Sequence, residues 1–519
     1  MIGSFLTVSV GTLASRLLGF ARDAMIAALL GTGPVADAFL VAFQLVNVVR
    51  RLLTEGALNA ALVPAWLRVR EADGAAAAAA FAGRVLGTVS AALIVTAALI
   101  GLLMPFVMTA LAPGFAGHPT LQMAVDDARL MLPYLAFAGP VTVMMALLNA
   151  QARFALTAFS PLLFNIALIA VMIALLGWRQ DASIAAMVLA ATVGIAGLLQ
   201  LLILVLHRGE SIATPLRVAF DPEMQGFFGK AIPGMVASAG PQLLVVAGAV
   251  IASTSPAAVS WLYFANRLIE LPLGIVGVAM GTVLVPELSR ALRGDDRTAI
   301  AHAQSRGLEL AVGLALPATL GLIVLGAPIV RLLFEHGAFT ALDSAATAHA
   351  LMWLALGLPA HVLVKALSPA FFARDDTLTP LWATLKGFVV AIVLAVVLGR
   401  IFGANGIAAS IAIGAWSSAF SLLRRGAATF GFSIDIDARR RLPRIVAAAL
   451  VMGGLLWLTA ALVLPPTTDV HGIAQAVFLA MLISGGIAIY GLLLGLFGVV
   501  KWGEAANAVR QTTSPGLRD

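Results

Sequence analysis

Apolar runs of about 20 residues, separated by short polar breaks, recur along this chain and centre near residues 17, 49, 93, 136, 168, 195, 240, 275, 320, 358, 389, 415, 453 and 486. A run of that length, wound as an α-helix at about 1.5 Å per residue, spans the roughly 30 Å hydrocarbon layer of a bilayer. The runs are continuous and rich in Leu, Ala, Val and Ile. Barrel strands would instead alternate apolar and polar positions over about ten residues. The pattern therefore predicts an all-α polytopic membrane protein with about 14 transmembrane helices.

Composition agrees with the pattern. Hydrophobic residues make up 61% of the chain and charged residues 11%, where soluble domains carry about a quarter charged. The mean hydropathy is +1.01. There is no cysteine, which excludes disulfides, cysteine-based metal sites and lipidation at cysteine. The first residues lack the basic start and small-residue cleavage site of a signal peptide, so the first helix is read as retained.

Net charge is +7, and its distribution reports topology rather than nucleic-acid binding. One alternate set of loops holds Arg68, Arg70, Arg153, Arg208, Arg217, Arg290, Arg293, Arg297, Arg374, Arg424, Arg425 and Arg439 to Arg441, while the opposite set keeps little more than Arg179, Arg331 and Arg400. By the positive-inside rule both termini are cytoplasmic. An even helix count requires the same.

The chain also repeats itself. Leu62-Val-Pro-Ala-Trp-Leu-Arg68 matches Leu284-Val-Pro-Glu-Leu-Ser-Arg290, and Arg153 followed by Pro161 corresponds to Arg374 followed by Pro380. Six predicted helices separate each pair, so the copies share one orientation. Parallel repeats of this kind build two lobes about an axis along the membrane normal, with a substrate site between them. The expected organisation is an N-lobe over 1–207 (helices 1–6), a cytoplasmic linker over 208–226, a C-lobe over 227–425 (helices 7–12), and a linker with helices 13 and 14 over 426–519.

Against this apolar background, some charges stand out. Arg16, Arg22 and Asp23 fall within the first span, and Asp37, Arg50, Arg51 and Glu55 within the second. An ionised side chain at mid-bilayer costs about 2.5–3.5 kcal/mol on insertion scales, so such groups must face a wet cavity, a partner or an anionic ligand. Snorkelling at a helix end would account for Arg22 and Asp23 but not for Arg16, a further turn and a half into the span. In Tyr263-Phe-Ala-Asn-Arg-Leu-Ile-Glu-Leu-Pro272, Arg267 and Glu270 are three residues apart and can pair on one helix face. Arginine contributed by both lobes suits a polyanion, because guanidinium stays ionised and binds phosphate oxygens in bidentate fashion. Lys365 and Lys386 have stems long enough to reach an interface from helices 10 and 11.

Enzymatic signatures are missing: there is no H-E-x-x-H pair, Walker A loop or G-x-S-x-G elbow, and the seven histidines are scattered without metal-ligand spacing. Gly31-Thr-Gly-Pro-Val-Ala36 imitates a dinucleotide fingerprint but joins two membrane helices, which makes it a short turn. Without an ATP site, transport would draw on an ion gradient, the membrane potential or the substrate's own gradient. No cofactor is expected.

The segments Ser15-Arg-Leu-Leu-Gly-Phe-Ala-Arg-Asp-Ala24, Asp37-Ala-Phe-Leu-Val-Ala-Phe43, Asn47-Val-Val-Arg-Arg-Leu-Leu-Thr-Glu-Gly-Ala57 and Val63-Pro64, with Ala112-Pro-Gly-Phe115, Ser160-Pro-Leu-Leu-Phe-Asn165, Gly277-Val-Ala-Met-Gly-Thr282 and Gly337-Ala-Phe-Thr340, run almost end to end. Together they resemble the MurJ (MviN) lipid II flippases of the multidrug/oligosaccharidyl-lipid/polysaccharide exporter superfamily. The resemblance implies two six-helix lobes around a cationic cavity, a terminal helix pair, alternating access, and location in the bacterial inner membrane. It implies lipid II, a polyprenyl pyrophosphate disaccharide-pentapeptide, as substrate, with membrane lipids and cell-wall synthesis proteins as further partners and no nucleic acid. It assigns Arg16, Arg22, Arg50 and Arg267, with Ser15 and Asn165, to substrate binding, and Asp23, Asp37, Glu55 and Glu270 to gating or salt bridges. Where members often carry Asp before the helix 8 arginine, this chain has Asn266. Helices 7, 11 and 12 hold no obvious carboxylate for the sodium site of some members. The rival reading is an exporter of another polyprenyl-linked oligosaccharide or a drug/cation antiporter of the same superfamily. A cationic drug would be repelled by the arginines.

Overall fold

The computed structural model describes residues 2–54, 57–151, 153–178, 180–206, 213, 215–237, 248–280, 284, 287–288, 290–291, 297–372, 374, 376–430, 434–463 and 472–500. Helix dominates throughout, and no strand occurs among the described residues. In chain order the principal helices are α1 (Ile2–Leu30), α2 (Pro34–Thr54), α3 (Ala57–Leu102), α4 (Met104–Leu111), α5 (Pro119–Met131), α6 (Pro133–Ala150), α7 (Phe154–Trp178), α8 (Ala182–Leu206) and α9 (Pro222–Ala237). They continue with α10 (Ala258–Ala279), α11 (Arg297–Phe334), α12 (Ala341–Ala355), α13 (Leu358–Phe372), α14 (Leu378–Phe430), α15 (Ile436–Val463) and α16 (Ile473–Leu496).

Among the described residues, nine helical stretches are long and apolar enough to cross a membrane. One of them, Leu378–Phe430, contains two of the predicted centres and turns at Gly403, whose φ of 56° lies where a Cβ would be disfavoured. The charges singled out in the sequence at 16–23, 37–51 and 267–270 fall on α1, α2 and α10, none of which is among those nine stretches. The centre expected near 240 lies outside the described residues. The chain is thus a multi-pass, all-α membrane protein.

Two compact units are distinguishable. One comprises Met1–Phe264 with Phe334–Asp343, and the other Ala265–Leu333 with Ser344–Asp519. In the first, α3 lies along α6, α1 along α7 and α2 along α5. Small residues allow the close approach: a Cβ on Gly139 would meet Leu93 Cδ1 at 2.2 Å, and one on Gly11 would meet the Ala158 Cβ at 2.9 Å. A cluster including Leu58, Leu62, Trp66, Phe81, Val85 and Leu147 fills the α3/α6 seam and reaches Met224 and Phe227 of α9.

The stretch preceding α9 is tied down. The backbone of Ala219 exchanges hydrogen bonds with the Thr88 hydroxyl, Arg217 N–H donates to the Gly83 carbonyl, and Arg84 bridges Asp221 at 2.7 Å and Glu223 at 2.6 Å. In the second unit, α13 packs on α14 and α15 on α16. Leu325, Leu456, Leu479 and Leu482 form a small core there, and the Tyr490 hydroxyl donates to the Gly313 carbonyl at 2.8 Å.

Candidate functional site

Six residues separate Arg16 from Arg22, which at about 100° per residue places them roughly 120° apart around α1. The consequence is visible: Arg16 is exposed and Arg22 is buried. Ser15 and Arg22, seven apart, share a face. Asn165 of α7 stands opposite that face, accepting from Arg22 Nη1 at 3.0 Å and donating to the Ser15 carbonyl at 3.3 Å.

Asp23 is 0% exposed and accepts from Arg22 Nε at 2.9 Å and Nη2 at 2.6 Å through one oxygen. The Tyr263 hydroxyl donates to the same oxygen at 3.3 Å. Above the guanidinium lie two aromatic rings, Phe43 at 5.0 Å and Phe164 at 5.9 Å from Cζ, near-parallel to each other at 16°. Hydrogen bonds to Asp23 Oδ1 and from all three guanidinium nitrogens, with the two polarisable ring faces in place of water, are what let this buried ion pair persist.

Arg50 and Arg51 belong to the end of α2, with Arg51 in its last turn. Arg50 Nη2 donates to Asn47 Oδ1 at 3.3 Å. Glu55 lies outside the described residues.

Asp37, in the first turn of α2, is 3% exposed. It accepts from the backbone N–H of Ser260 at 2.9 Å and, in a very short contact, from the Ser260 hydroxyl. Ser260 sits in the first turn of α10, where N–H groups have no intrahelical acceptor. Asp37 therefore caps α10 from another helix, and the positive end of the α10 dipole favours its charge.

A second junction lies close in the same unit. Ala338 N–H donates to the Ala28 carbonyl at 2.7 Å, and Asp343 accepts from the Thr32 hydroxyl at 2.5 Å, from Trp261 Nε1 at 3.4 Å and from Thr340 N–H at 2.9 Å. Phe334 and Phe339 pack against Phe264, with centroids 5.2 and 5.6 Å away. Gly337 has φ of 59°, and a Cβ there would stand 2.3 Å from the Ala28 carbonyl oxygen. Only glycine fits that approach.

In the second unit Arg267 Nη1 donates to Glu270 at 2.8 Å, the pairing that their spacing predicts, and Asn266 Nδ2 reaches the same carboxylate at 3.5 Å. Both side chains of the pair keep partial exposure, 22% and 31%. Among the described residues no group of three or more His, Cys, Asp or Glu has metal-binding geometry.

Sequence reasoning thus picked out Arg22, Asp23 and Asn165, which the structure brings together, and Asp37, which it places at a helix terminus. It missed Ser260, Tyr263, Phe43 and Phe164. Tyr263 carried a usable signal, since it lies one turn before Arg267 on a helix already marked by charge. Ser260 carried none, because a lone serine near a helix start is ordinary.

The family profile described as "MurJ: Lipid II flippase MurJ" matches residues 26–478. A relative from Rhizobium meliloti (strain 1021), named "Probable lipid II flippase MurJ", is 37% identical over 99% of this chain and 98% of its own length. A relative from Burkholderia cenocepacia, named "Lipid II flippase MurJ", is 32% identical over 87% and 89%. Among solved structures, one titled "Lipid II flippase MurJ, inward closed conformation" matches with a TM-score of 0.77 at 22% identity, over 95% of this chain and 98% of that one. An inward-facing multidrug resistance MATE family transporter of the MOP superfamily matches with a TM-score of 0.65 at 14% identity, over 85% and 98%. At such identities these two speak for the fold alone.

Proposed function

The chain belongs to the lipid II flippase MurJ family, and from that premise we propose the residues and the mechanism by which it carries lipid-linked peptidoglycan precursor across the membrane. It is a transporter, not an enzyme, and its substrate is lipid II. The rival assignments, another polyprenyl-linked oligosaccharide or a drug, are not favoured by relatives that share the flippase name along nearly their whole length.

The physical task is narrow. A pyrophosphate with its sugars cannot enter about 30 Å of hydrocarbon unaided, whereas the polyprenyl tail dissolves in it. A route is needed only for the headgroup. Arg16, Arg22, Arg50 and Arg267 hold the pyrophosphate, with Ser15 and Asn165 contributing polar contacts. Asp23, Asp37, Glu55 and Glu270 form the salt bridges and gates that change partner as access alternates. The N-lobe (1–207) and C-lobe (227–425), joined by the 208–226 linker, rock to exchange access, and the terminal helix pair, α15 and α16, gives the tail its groove. Both termini lie in the cytoplasm, the membrane is the bacterial inner membrane, and cell-wall synthesis proteins are the natural partners.

The observation that carries this reading is the Arg22 guanidinium, held by Asp23 and Asn165 beneath the Phe43 and Phe164 rings. That arrangement keeps a cation ready within a membrane span without leaving it bare. Its remaining N–H groups and those of Arg16 are the ones offered to phosphate oxygens.

The test is reconstitution of the purified chain in vesicles that carry lipid II in one leaflet. Appearance of lipid II in the other leaflet at well above the protein-free rate is the expected result. Transport at the protein-free rate, by folded protein, would refute it.

A further inference from the structure

The second unit contains a cavity of about 450 Å³ lined by Lys386, Ser417, Phe420, Ser421, Arg424 and Arg425. Its origin is legible in α14. The helix turns back at Gly403, and its two arms touch backbone to backbone: a Cβ on Gly387 would lie 2.4 Å from the Gly414 carbonyl oxygen, and one on Gly414 would lie 2.5 Å from that of Gly387. Lys386 flanks this seam on one arm. On the other, Ser417, Ser421 and Arg424 follow at intervals of four and three, which is one helix face.

Three cations share this cavity, and among the described residues none of them has a carboxylate within ion-pair distance. Asp376 lies within electrostatic reach of Arg425 and offsets part of its charge, which leaves three cations against one more distant carboxylate. An anion placed among like charges relieves their repulsion. The two serine hydroxyls add donors at the same level.

The surface beyond the cavity is of the opposite character. Val389, Val393 and Val396 on one arm and Ile413 on the other continue away from the cationic end, each between 44% and 58% exposed. Trp382, 60% exposed, stands a turn to the other side of Lys386, where aromatic rings mark a membrane interface. Charge at one end and exposed aliphatic surface running from it match an amphipathic anion, not a soluble one.

We propose that this cavity binds the phosphodiester headgroup of an anionic phospholipid, a site distinct from the lipid II route. The lipid's phosphate oxygens accept from Lys386, Arg424 and Arg425 and from the hydroxyls of Ser417 and Ser421. One acyl chain lies against Val389, Val393 and Ile413. Basic pockets between helices at a membrane face recognise such headgroups, and the cytoplasmic orientation proposed above puts the site in the inner leaflet.

The test uses the purified full-length chain and native mass spectrometry, with phosphatidylglycerol and phosphatidylcholine of matched acyl chains present in equal amounts and no lipid II. Wild type should retain phosphatidylglycerol in preference. Lys386→Gln and Arg424→Gln, at exposed positions that the fold tolerates, should each weaken retention, and together reduce it at least tenfold, while Arg424→Lys should preserve it. Equal retention of the two lipids, or unchanged retention in the double variant, would overturn the site. Displacement of the lipid by millimolar inorganic phosphate would overturn the lipid assignment in favour of a small-anion site. None of these outcomes depends on flippase activity.

Discussion

Replacing Asp23 by Asn keeps the shape of the side chain and one oxygen for Arg22 but removes the negative charge. At the observed 2.6 Å, with an effective dielectric of about 20, the gross attraction between the two charges is about 6 kcal/mol. Much of it offsets the cost of taking both ions out of water, so the pair adds little over an apolar pair of the same volume. Breaking it is another matter. Arg22, 8% exposed, would be left as a buried charge lacking its counter-charge, at a cost of about 3–5 kcal/mol. Adding Arg22→Gln should recover most of that loss, because no charge then remains to be compensated. Reversible unfolding in mixed micelles, run as a double-mutant cycle, measures both quantities. Asp23→Asn within about 1 kcal/mol of wild type, or a double variant as unstable as the single, would refute the argument that Asp23 compensates a buried guanidinium.

Three more expectations follow from the geometry. Gly337→Ala forces a Cβ to 2.3 Å from the Ala28 oxygen at a positive φ, and should destabilise the first unit by about 2 kcal/mol or more, read by the same unfolding assay. Ser260→Ala removes a hydroxyl donor from buried Asp37 but keeps the backbone donor. It should cost about 1.5–3 kcal/mol and raise hydrogen exchange at the start of α10, with less effect than Asp37→Ala. The Asp221 carboxylate is held below its ordinary value, chiefly by the Met224 N–H and further by Arg84. A depressed folded-state value means its contribution is present above the unfolded carboxylate pKa of about 3.9 and is lost as pH falls through the folded one. Protection factors at residues 216–225, corrected for the intrinsic pH dependence of exchange, should therefore fall below about pH 4, and Asp221→Asn should weaken that fall.

The helical class was legible because a bilayer demands long apolar runs, and that demand is written residue by residue. Arg22 and Asp23 were legible as functional candidates for the converse reason, since charge within such a run is expensive. The role of Asp37 as a cap for α10 was not legible, because it depends on a contact between residues 223 positions apart in the chain. Phe43 and Phe164 look in sequence like any other apolar span residues. Only the guanidinium beneath them distinguishes them, and that relation exists in three dimensions alone.

The role proposed for Arg22 in the lipid II headgroup route stands or falls on function in cells. The most direct test is lipid II translocation in cells depleted of their native flippase, comparing wild type with Arg22→Ala at matched membrane levels. Rescue by wild type and failure of Arg22→Ala is the result predicted. Equal rescue by both would contradict the role given to Arg22, and rescue by neither, with both well inserted, would contradict lipid II flipping itself.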